Sequence, residues 1–279
     1  MMELPESHNL AKQLNETLKG KVIRKAAANS SPHGFAFYFG DPALYNERLT
    51  KKPFGHAQAN GGQLELFFGD MRVALNDGAN LRYFLSEAPL PKKHQLYIEF
   101  EDSSSLVVTV QMYAGIMAFK EGEHDNFYYK IAKEKPTPLG SEFDLSYFKS
   151  LKECEKYEKL SAKAFLATEQ RIPGLGNGVL QDILWNALIH PKTKMGALTA
   201  KQFDILYKAV KGTLAEMTRE GGRDTERDIF GHSGGYICKL SKNTLGRPCE
   251  RCGTSIEKAA YLGGAVYFCP ACQPVITAK

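Results

Sequence analysis

The sequence predicts an α+β protein: an N-terminal helix and an antiparallel β-sandwich precede a helical domain and a C-terminal β-hairpin that carries paired cysteines. Two observations along the chain support this order. Strand-like segments dominate the first half, and helical periodicity replaces them after a proline-rich stretch. The chain has 279 residues, which is enough for two domains that each bury a core of their own.

The composition indicates a globular protein of a reducing compartment. Hydrophobic residues make up 43% and charged residues 24% of the chain, whereas disordered chains are poorer in apolar residues. The sequence has neither an apolar run of transmembrane length nor a charged-then-apolar leader. The lone thiols of Cys154 and Cys238 fit a cytoplasmic protein, and a net charge of +5 permits a polyanionic partner without requiring one.

The first domain is predicted over residues 1–132. Its N-terminal segment has leucines at helical spacing, with Pro5 in the first turn and Gly20 beyond the end, which predicts a helix over residues 4–18. Strand-like segments punctuated by Gly, Asp and Asn follow, and "LYIEFED" alternates apolar and polar residues as a half-buried antiparallel strand does. The first half of the chain is therefore predicted to form one helix and a β-sandwich or barrel.

The sequence pattern changes from strand-like to helical at "AKEKPTPLGSEFD", where prolines and a glycine predict a linker over residues 133–144. Helical patterns then fill most of residues 145–240, including "GVLQDILWNALIH", in which Trp185 is expected to lie in the core. The stretch "GGRDTERDIFGHSGGY" is a polar, glycine-rich loop near the end of this second domain.

Four cysteines at the C-terminus, in residues 241–279, form the strongest local motif. Their spacing is C-x2-C-x16-C-x2-C, and thiolates paired on two turns can close a tetrahedron around one Zn²⁺. Since sulfur would fill all four positions, the metal would be structural and would supply folding free energy to a small hairpin. The alternative is four ordinary free cysteines. The proposed ligands are Cys249, Cys252, Cys269 and Cys272.

A second motif is the tight turn "GLGN" between two helices. Such a turn aims backbone N–H groups and a helix N-terminus outward, where a phosphate can bind, so Gly176 and Asn177 are candidate DNA contacts. The turn is not a dinucleotide fingerprint, because its glycine spacing differs and no strand precedes it. The alternative is a plain connection between two helices.

Taken together and in this order, "ELPE", "GLGN", "GGRDTERDIFGHSGGY" and "PCERCG…FCPACQ" resemble the formamidopyrimidine-DNA glycosylase/endonuclease VIII family. The resemblance spans the whole chain. It implies an N-terminal β-sandwich, a helix–two-turn–helix domain and a zinc finger, with duplex DNA bound in the cleft between the two halves. Members of the family excise oxidised bases and then nick the abasic strand by β-elimination.

The resemblance also implies roles for individual residues. Glu3 matches the catalytic acid of the family and Glu6 its second glutamate. Asn177 matches the asparagine that binds the phosphate beside the lesion. Met112, in "VQMYAG", falls near the methionine that fills the gap left by an extruded base.

The segment "HDNFYYKIA" is interpreted as the counterpart of the arginine–phenylalanine loop that family members insert into the duplex. In this interpretation Phe127, Tyr128 and Tyr129 stack on bases or wedge the gap. The alternative is a strand with one buried face. Lys242, just before the cysteine motif, is also assigned to the DNA-binding residues.

Three departures from the family pattern predict that the lyase step is weak or absent. Met2 stands where the family has a nucleophilic proline, and retention of Met1 would leave a primary amine one residue further out. Gly62 stands at the tentatively aligned position of a lysine, and Gly264 at that of a phosphate-binding arginine. Without an imine-forming amine, β-elimination lacks its electron sink.

The leading hypothesis is therefore a DNA glycosylase in which Glu3 activates water on a flipped nucleoside. The alternatives are a catalytically inactive binder of damaged, abasic or structured nucleic acid, and a zinc-containing protein associated with RNA or the ribosome. Both glutamates also have a simpler explanation, since acids favour helix N-termini. The expected partner is damaged or abasic duplex DNA, bound by a monomer at the nucleoid, with no membrane association.

Overall fold

The computed structural model describes residues 2–76 and 78–277 and divides into two compact units. Unit 1 comprises Met1–Lys133 together with Gly221–Gly235, and unit 2 comprises Glu134–Glu220 together with Tyr236–Lys279. Each unit has its own buried side chains. Within the described residues, no helix combines the length and apolar character needed to cross a membrane.

Helix α1 of unit 1 extends over Leu4–Thr17, which confirms the helix predicted from the leucine spacing. Glu3 precedes the first turn, and the side chain of Glu6 accepts a hydrogen bond from the Glu3 N–H at 3.0 Å. A carboxylate in this position satisfies one of the N–H groups that a helix start leaves without an intrahelical partner. The buried face of α1 packs on two strands of the sandwich, β3 and β4, whose bounds follow.

Two sheets follow α1 in unit 1. The first has the strand order β1-β7-β8-β6 and the second the order β2-β9-β5-β4-β3. The strands are β1 (Ile23–Ala28), β2 (Ala36–Tyr38), β3 (Phe54–Asn60), β4 (Gln63–Phe68), β5 (Met71–Leu75), β6 (Ala79–Phe84), β7 (Leu96–Phe100), β8 (Ser105–Val110) and β9 (Ala114–Lys120), and a short helix, α2 (Tyr45–Leu49), precedes β3.

The strands of unit 1 pair antiparallel, as predicted, except β2 and β9, which run parallel. The sequence of β3, "FGHAQAN", lacks the apolar alternation of a typical strand. The three residues between β8 and β9 include two large apolar side chains, Met112 and Tyr113.

The core of unit 1 is a single cluster that joins both sheets to α1. Its fully buried members include Leu14, Ile23, Phe68, Phe100 and Ile116. Each such side chain stabilises the fold by about 1.5–3 kcal/mol relative to an exposed position. Burial in this cluster fixes α1, and with it the glutamates at its N-terminus.

The part "FYYKIA" of the segment "HDNFYYKIA" lies in helix α3 (Phe127–Glu134), so the strand alternative is wrong. The side chain of Asn126 accepts hydrogen bonds from the N–H groups of Tyr128 at 2.9 Å and Tyr129 at 3.3 Å, which caps the helix. This cap was present in the sequence but was not recognised.

Unit 2 is helical and ends in a hairpin, as predicted. Its elements are α4 (Leu145–Ser150), α5 (Ala162–Ala167), α6 (Asn177–Ala187), α7 (Ala200–Arg219), β10 (Glu257–Tyr261) and β11 (Gly264–Phe268). Helices α6 and α7 pack on each other, and Trp185 on α6 is buried, as expected from the sequence.

Two of the predicted domain boundaries differ from the compact units. The predicted linker, 133–144, packs against the rest of unit 2 near its C-terminal end. Phe143 is fully buried, and Lys211 donates hydrogen bonds to the carbonyls of Gly140 and Phe143 at 2.7 and 3.0 Å. The glycine-rich stretch Gly221–Gly235 was assigned to the helical domain but belongs to unit 1. Ile229 enters the sandwich core there, and its carbonyl accepts the N–H of Tyr83 at 2.8 Å.

Candidate functional site

A buried charged cluster lies at the N-terminus of α1 in unit 1. Glu3 and Glu6 come from α1, and Arg223 comes from the glycine-rich stretch. Gly222, with a φ of +97°, precedes the arginine, and a Cβ built there would lie 3.5 Å from the Glu6 side chain. Glycine is suited to this position because it accepts positive φ and allows a close approach. The loop therefore delivers a guanidinium to the two carboxylates.

Arg223 holds Glu6 through a fork of hydrogen bonds. Its backbone N–H and its Nε donate to Glu6 Oε1 at 3.1 and 2.9 Å, and its Nη2 donates to Oε2 at 2.8 Å. Its Nη1 lies 3.6 Å from Glu3 Oε1. Exposed fractions are 3% for the Arg223 side chain and 6% for each glutamate, so water screens these charges weakly.

The electrostatics of this cluster favour ionised groups. Burial alone would raise the pKa of Glu6, but the adjacent guanidinium outweighs it and lowers that pKa. Burial alone would lower the pKa of Arg223, but the carboxylates of Glu3 and Glu6 raise it well above its ordinary value. The sequence analysis did not single out Arg223, and its only signal was an arginine directly after two glycines.

Two of the positions that depart from the family pattern, Met2 and Gly62, lie in unit 1 with this cluster. Met1 lies outside the described residues, and the side chain of Met2 is 6% exposed and packs in the sandwich core. Gly62 lies in the turn between β3 and β4, and the neighbouring carbonyl of Gly61 accepts a hydrogen bond from the Ser7 hydroxyl at 2.6 Å. This bond attaches that turn to α1.

Exposed apolar side chains cluster at one edge of the five-stranded sheet, which we call the aromatic edge and define as Phe35, Phe37, Met112 and Tyr113. The parallel pairing of β2 with β9 sets Phe37 opposite Gly115, and the carbonyl of Phe35 accepts the N–H of Ala114 at 3.0 Å. Exposed fractions in this set run from 42% for Tyr113 to 63% for Phe35. Groups of exposed apolar side chains mark interaction sites when they form one contiguous patch. Of these residues, the sequence analysis selected Met112 alone.

The aromatic residues of α3 differ in their exposure. Phe127 and Tyr128 are 63% and 55% exposed, whereas Tyr129 is half-buried and its hydroxyl donates to Glu65 on β4. Burial and the Glu65 carboxylate raise the pKa of Tyr129, so its hydroxyl stays protonated as a donor. Tyr129 thus attaches α3 to the sheet and leaves the two preceding rings available for contacts.

The "GLGN" turn of unit 2 leads into α6, which begins at Asn177 with Gly176 at its N-cap. The Asn177 amide donates to the carbonyl of Ala265 on β11 at 2.8 Å, and its Oδ1 is buried without a hydrogen-bond partner in the structure. Gln181, one turn further along, donates to the same carbonyl at 3.2 Å. The start of α6 is therefore fixed to the cysteine hairpin.

A lysine occupies the surroundings of Gly264, where the resemblance had predicted an arginine. A Cβ built on Gly264 would lie 3.5 Å from Lys163 Nζ and 3.7 Å from the Asn177 amide nitrogen. Lys163 is 4% exposed, donates to the carbonyl of Tyr261 at 2.7 Å, and has a pKa lowered by burial. The sequence analysis did not select this cation, because Lys163 is distant from both the cysteine motif and the "GLGN" turn.

The four C-terminal cysteines come together in unit 2 and can hold one metal ion. Their Sγ atoms all lie within 4.8 Å of one another, with Cys249 and Cys272 at 3.9 Å and Cys252 and Cys269 at 3.4 Å. A tetrahedral Zn²⁺ site with bonds of about 2.3 Å has sulfur–sulfur edges of about 3.8 Å, so the residues fit this ion. The Trp185 indole N–H donates to Cys249 Sγ at 3.4 Å. Lys242 is exposed in the turn before the first cysteine.

Comparison with known proteins shows similarity over the full length of the chain. No family model matches the chain. The formamidopyrimidine-DNA glycosylase of Bacillus cereus is 26% identical over 284 residues, covering 99% of this chain and 100% of the relative. That of Lactobacillus gasseri is 29% identical over 279 residues, covering 98% and 99%. The structure of Lactococcus lactis Fpg in complex with DNA containing an abasic site has a TM-score of 0.83 and 24% identity, covering 98% of this chain and 99% of that one.

The solved structures share this architecture from end to end, which confirms the fold class predicted from the sequence: an α+β protein with an N-terminal helix, a β-sandwich, a helical domain and a four-cysteine hairpin. The chain is similar over its full length to formamidopyrimidine-DNA glycosylases. The resemblance drawn from the four sequence motifs is therefore confirmed.

Proposed function

We propose that this protein is a DNA glycosylase of base-excision repair that recognises damaged bases in duplex DNA and releases them by hydrolysis. In this proposal the β-elimination step is weak or absent. The observation that carries it is the buried cluster of Glu3, Glu6 and Arg223 at the N-terminus of α1. Full-length similarity to formamidopyrimidine-DNA glycosylases supports the substrate class.

Glu3 is the proposed catalytic residue. A carboxylate beside a flipped nucleoside can take a proton from water, and the resulting nucleophile attacks C1′ as the base departs. Glu6 and α1 hold Glu3 in place through the hydrogen bond between the Glu3 N–H and the Glu6 carboxylate. Because Glu3 is 5% exposed and fixed by a helix packed on the core, its position is well defined before DNA binds.

The proposed loss of lyase activity rests on the residues at two positions of unit 1. Met2 replaces the proline whose secondary amine forms the imine, and its thioether is packed in the core. Gly62 supplies no cation in the β3–β4 turn. An imine acts as the electron sink for β-elimination, so its absence leaves an intact abasic site as the product.

DNA contacts are proposed on both units. In unit 2, the N-terminus of α6 with Asn177 and Lys163 would bind a phosphate, and Gly176 and Lys242 would lie near the strand. In unit 1, Met112 and the aromatic edge would fill the gap left by the flipped base, with Tyr128 on α3 as a further stacking ring. We propose a monomer that acts in the cytoplasm at the nucleoid.

Zinc is the proposed metal of the four-cysteine site, because four thiolates in a closed set favour Zn²⁺ and leave no position for a catalytic water. Cys249, Cys252, Cys269 and Cys272 would hold it. Its contribution would be the stability of the β10–β11 hairpin, which carries Gly264 and Ala265 to the start of α6.

The test is a base-release assay on duplexes that each carry one oxidised or ring-opened base. We expect release of the free base, and strand cleavage only after alkali is added. Glu3→Gln should abolish release while the affinity for abasic duplex stays within about twofold, because amide and carboxylate are close in size. Release by Glu3→Gln at the rate of the unsubstituted protein would exclude Glu3 as the catalytic residue.

A catalytically inactive binder is the second candidate, and the ion pair between Arg223 and Glu3 favours it because a carboxylate that pairs with a cation is a weaker base toward water. Tight binding of abasic duplex without base release across the lesion set would support this function over the first. Preference for structured RNA over damaged duplex DNA would favour neither the glycosylase nor the binder of damaged DNA.

A further inference from the structure

We propose that Arg223 is a positioning residue for base release, which holds Glu3 as a carboxylate so that Glu3 activates water rather than protonating the sugar or the base. This inference rests on the proposed function for its chemistry, but its structural content can be measured separately. The residue lies in unit 1, where Gly221 and Gly222 bring it to the N-terminus of α1.

The geometry assigns different parts of the guanidinium to the two glutamates. Glu6 accepts the N–H, Nε and Nη2 donors of Arg223 at 2.8–3.1 Å, which fixes the plane of the guanidinium. Nη1 then lies 3.6 Å from Glu3 Oε1, an ion-pair distance rather than a short hydrogen bond. Glu6 therefore anchors Arg223, while Nη1 places positive charge at ion-pair distance from Glu3.

Without Arg223, two glutamates would share one buried site. They lie one helical turn apart, and the Glu3 N–H donates to the Glu6 carboxylate at 3.0 Å. Like charges in a buried site favour protonation of one partner, whereas an opposite charge within about 4–6 Å favours the ionised form. A single guanidinium between them allows both carboxylates to stay ionised near neutral pH and leaves the cluster with a net negative charge.

Other charged residues lie beside the cluster. Glu226, Arg227 and Asp228 line the same small cleft as Glu6 and Arg223, and Glu226 adds to the field that keeps Arg223 protonated. On α1, burial lowers the pKa of His8, so this imidazole is neutral at pH 7. Arg223 is a cation at ion-pair distance from Glu3.

The chemical step is a hydrolysis. The water oxygen forms a bond to C1′ as the C1′–N bond breaks, and the electron pair of that bond leaves with the base. Glu3 accepts one proton from the water, and this proton afterwards passes to the departed base. A net negative cluster beside C1′ also favours the positive charge that develops on the sugar. Arg223 contacts neither water nor sugar in this scheme and acts through Glu3.

Two variants of similar length separate the charge of Arg223 from its shape. Arg223→Gln removes the charge and Arg223→Lys keeps it. With Arg223→Gln, we expect the acidic limb of the pH–rate profile to move to higher pH by at least about one unit, so that kcat at a fixed pH on this limb falls about tenfold. The affinity for abasic duplex should stay within about twofold. Arg223→Lys should keep the limb within about half a unit of its original place. An unchanged limb in Arg223→Gln would overturn the inference.

Carboxyl NMR of protein labelled with ¹³C-glutamate gives a readout that needs no activity, with the Glu3 signal identified by its loss in Glu3→Gln. We expect Glu3 to remain a carboxylate from pH 8 down to about pH 5 and to titrate within this range in Arg223→Gln. Titration of Glu3 above about pH 6 in the unsubstituted protein would refute the inference even if neither Arg223 variant folds. Absence of base release would instead refute the proposed function, and the NMR result would still decide the role of Arg223.

Discussion

Nη2 of Arg223 lies 2.8 Å from Oε2 of Glu6, although 217 positions separate the two residues in the chain. The pair fixes the Gly221–Gly235 stretch to α1 within unit 1. Both side chains are more than nine-tenths buried, and Glu6→Gln replaces the charged acceptor of three hydrogen bonds by a neutral amide, which leaves Glu3 as the charged partner of Arg223. Such losses cost about 3–5 kcal/mol, and we expect Glu6→Gln to lower the free energy of unfolding by this amount at pH 7.

The same pair predicts a pH dependence of stability. Because the folded state lowers the pKa of Glu6 below its usual 4.5, its contribution is present above about pH 4.5 and is lost as the pH falls through the folded value. Thermal unfolding from pH 7 to pH 3 should show this acid-side loss, and Glu6→Gln should show less of it. Equal pH dependence in both proteins would mean that other carboxylates control acid unfolding.

Metal removal should be visible through the single tryptophan of the chain. The Trp185 indole donates to Cys249 Sγ, so extraction of the metal by a strong chelator should change its fluorescence and loosen the hairpin. Elemental analysis should find one zinc per chain, and Cys249→Ser should lose both the metal and DNA affinity. Cys154→Ser is the matched control, because Cys154 is a free thiol outside the four-cysteine site. A zinc content below about half an ion per chain would contradict the site.

Asn177 provides a test of the proposed phosphate site. Replacement by Ala removes a hydrogen bond to a charged acceptor, which should weaken duplex binding by about 1.5–3 kcal/mol at fixed salt. The loss should be similar for all sequences, because phosphates carry no base identity. Asn243→Ala is the control, since Asn243 is exposed in unit 2. Equal affinities for the two variants in a fluorescence titration would exclude Asn177 from the site.

Lys163 should contribute one cation to the same site. Lys163→Met should reduce the slope of log Kd against log salt by about 0.9 for duplex DNA, because one fewer counterion is released. Adding Gly264→Arg should restore much of that slope, since the open position beside Gly264 admits a side chain without a Cβ clash. Lys12→Met on the exposed face of α1 is the control. A slope unchanged by Lys163→Met would show that the ammonium serves only to bond the Tyr261 carbonyl.

Borohydride trapping tests the proposed loss of lyase chemistry. With abasic duplex we expect little covalent complex from this protein, under conditions in which a relative with an N-terminal proline is trapped efficiently. The reason is that Met2 replaces the proline and Gly62 supplies no second amine. Efficient trapping, followed by peptide mapping to locate the adduct, would identify the amine that forms the imine and would overturn the monofunctional assignment.

Local sequence patterns determined the individual elements of this protein. The leucine spacing predicted α1, and the C-x2-C pairs predicted the four-cysteine site, because each pattern acts within a few residues. The order of four short motifs predicted the family. Two features have no local pattern that predicts them: β3 is largely polar, and the parallel β2–β9 pairing joins strands that are distant in the chain.

Tertiary structure alone decided the electrostatics of the candidate site. No local pattern shows that Arg223 reaches Glu3 and Glu6, because that meeting depends on Ile229 entering the sandwich core and on the positive φ of Gly222. Lys163 likewise meets Gly264 only because the hairpin packs on α6. The sequence by itself therefore determined which residues are available for chemistry, and folding decided which charges face each other, since Coulomb energy depends on distance in space and on burial rather than on position in the chain.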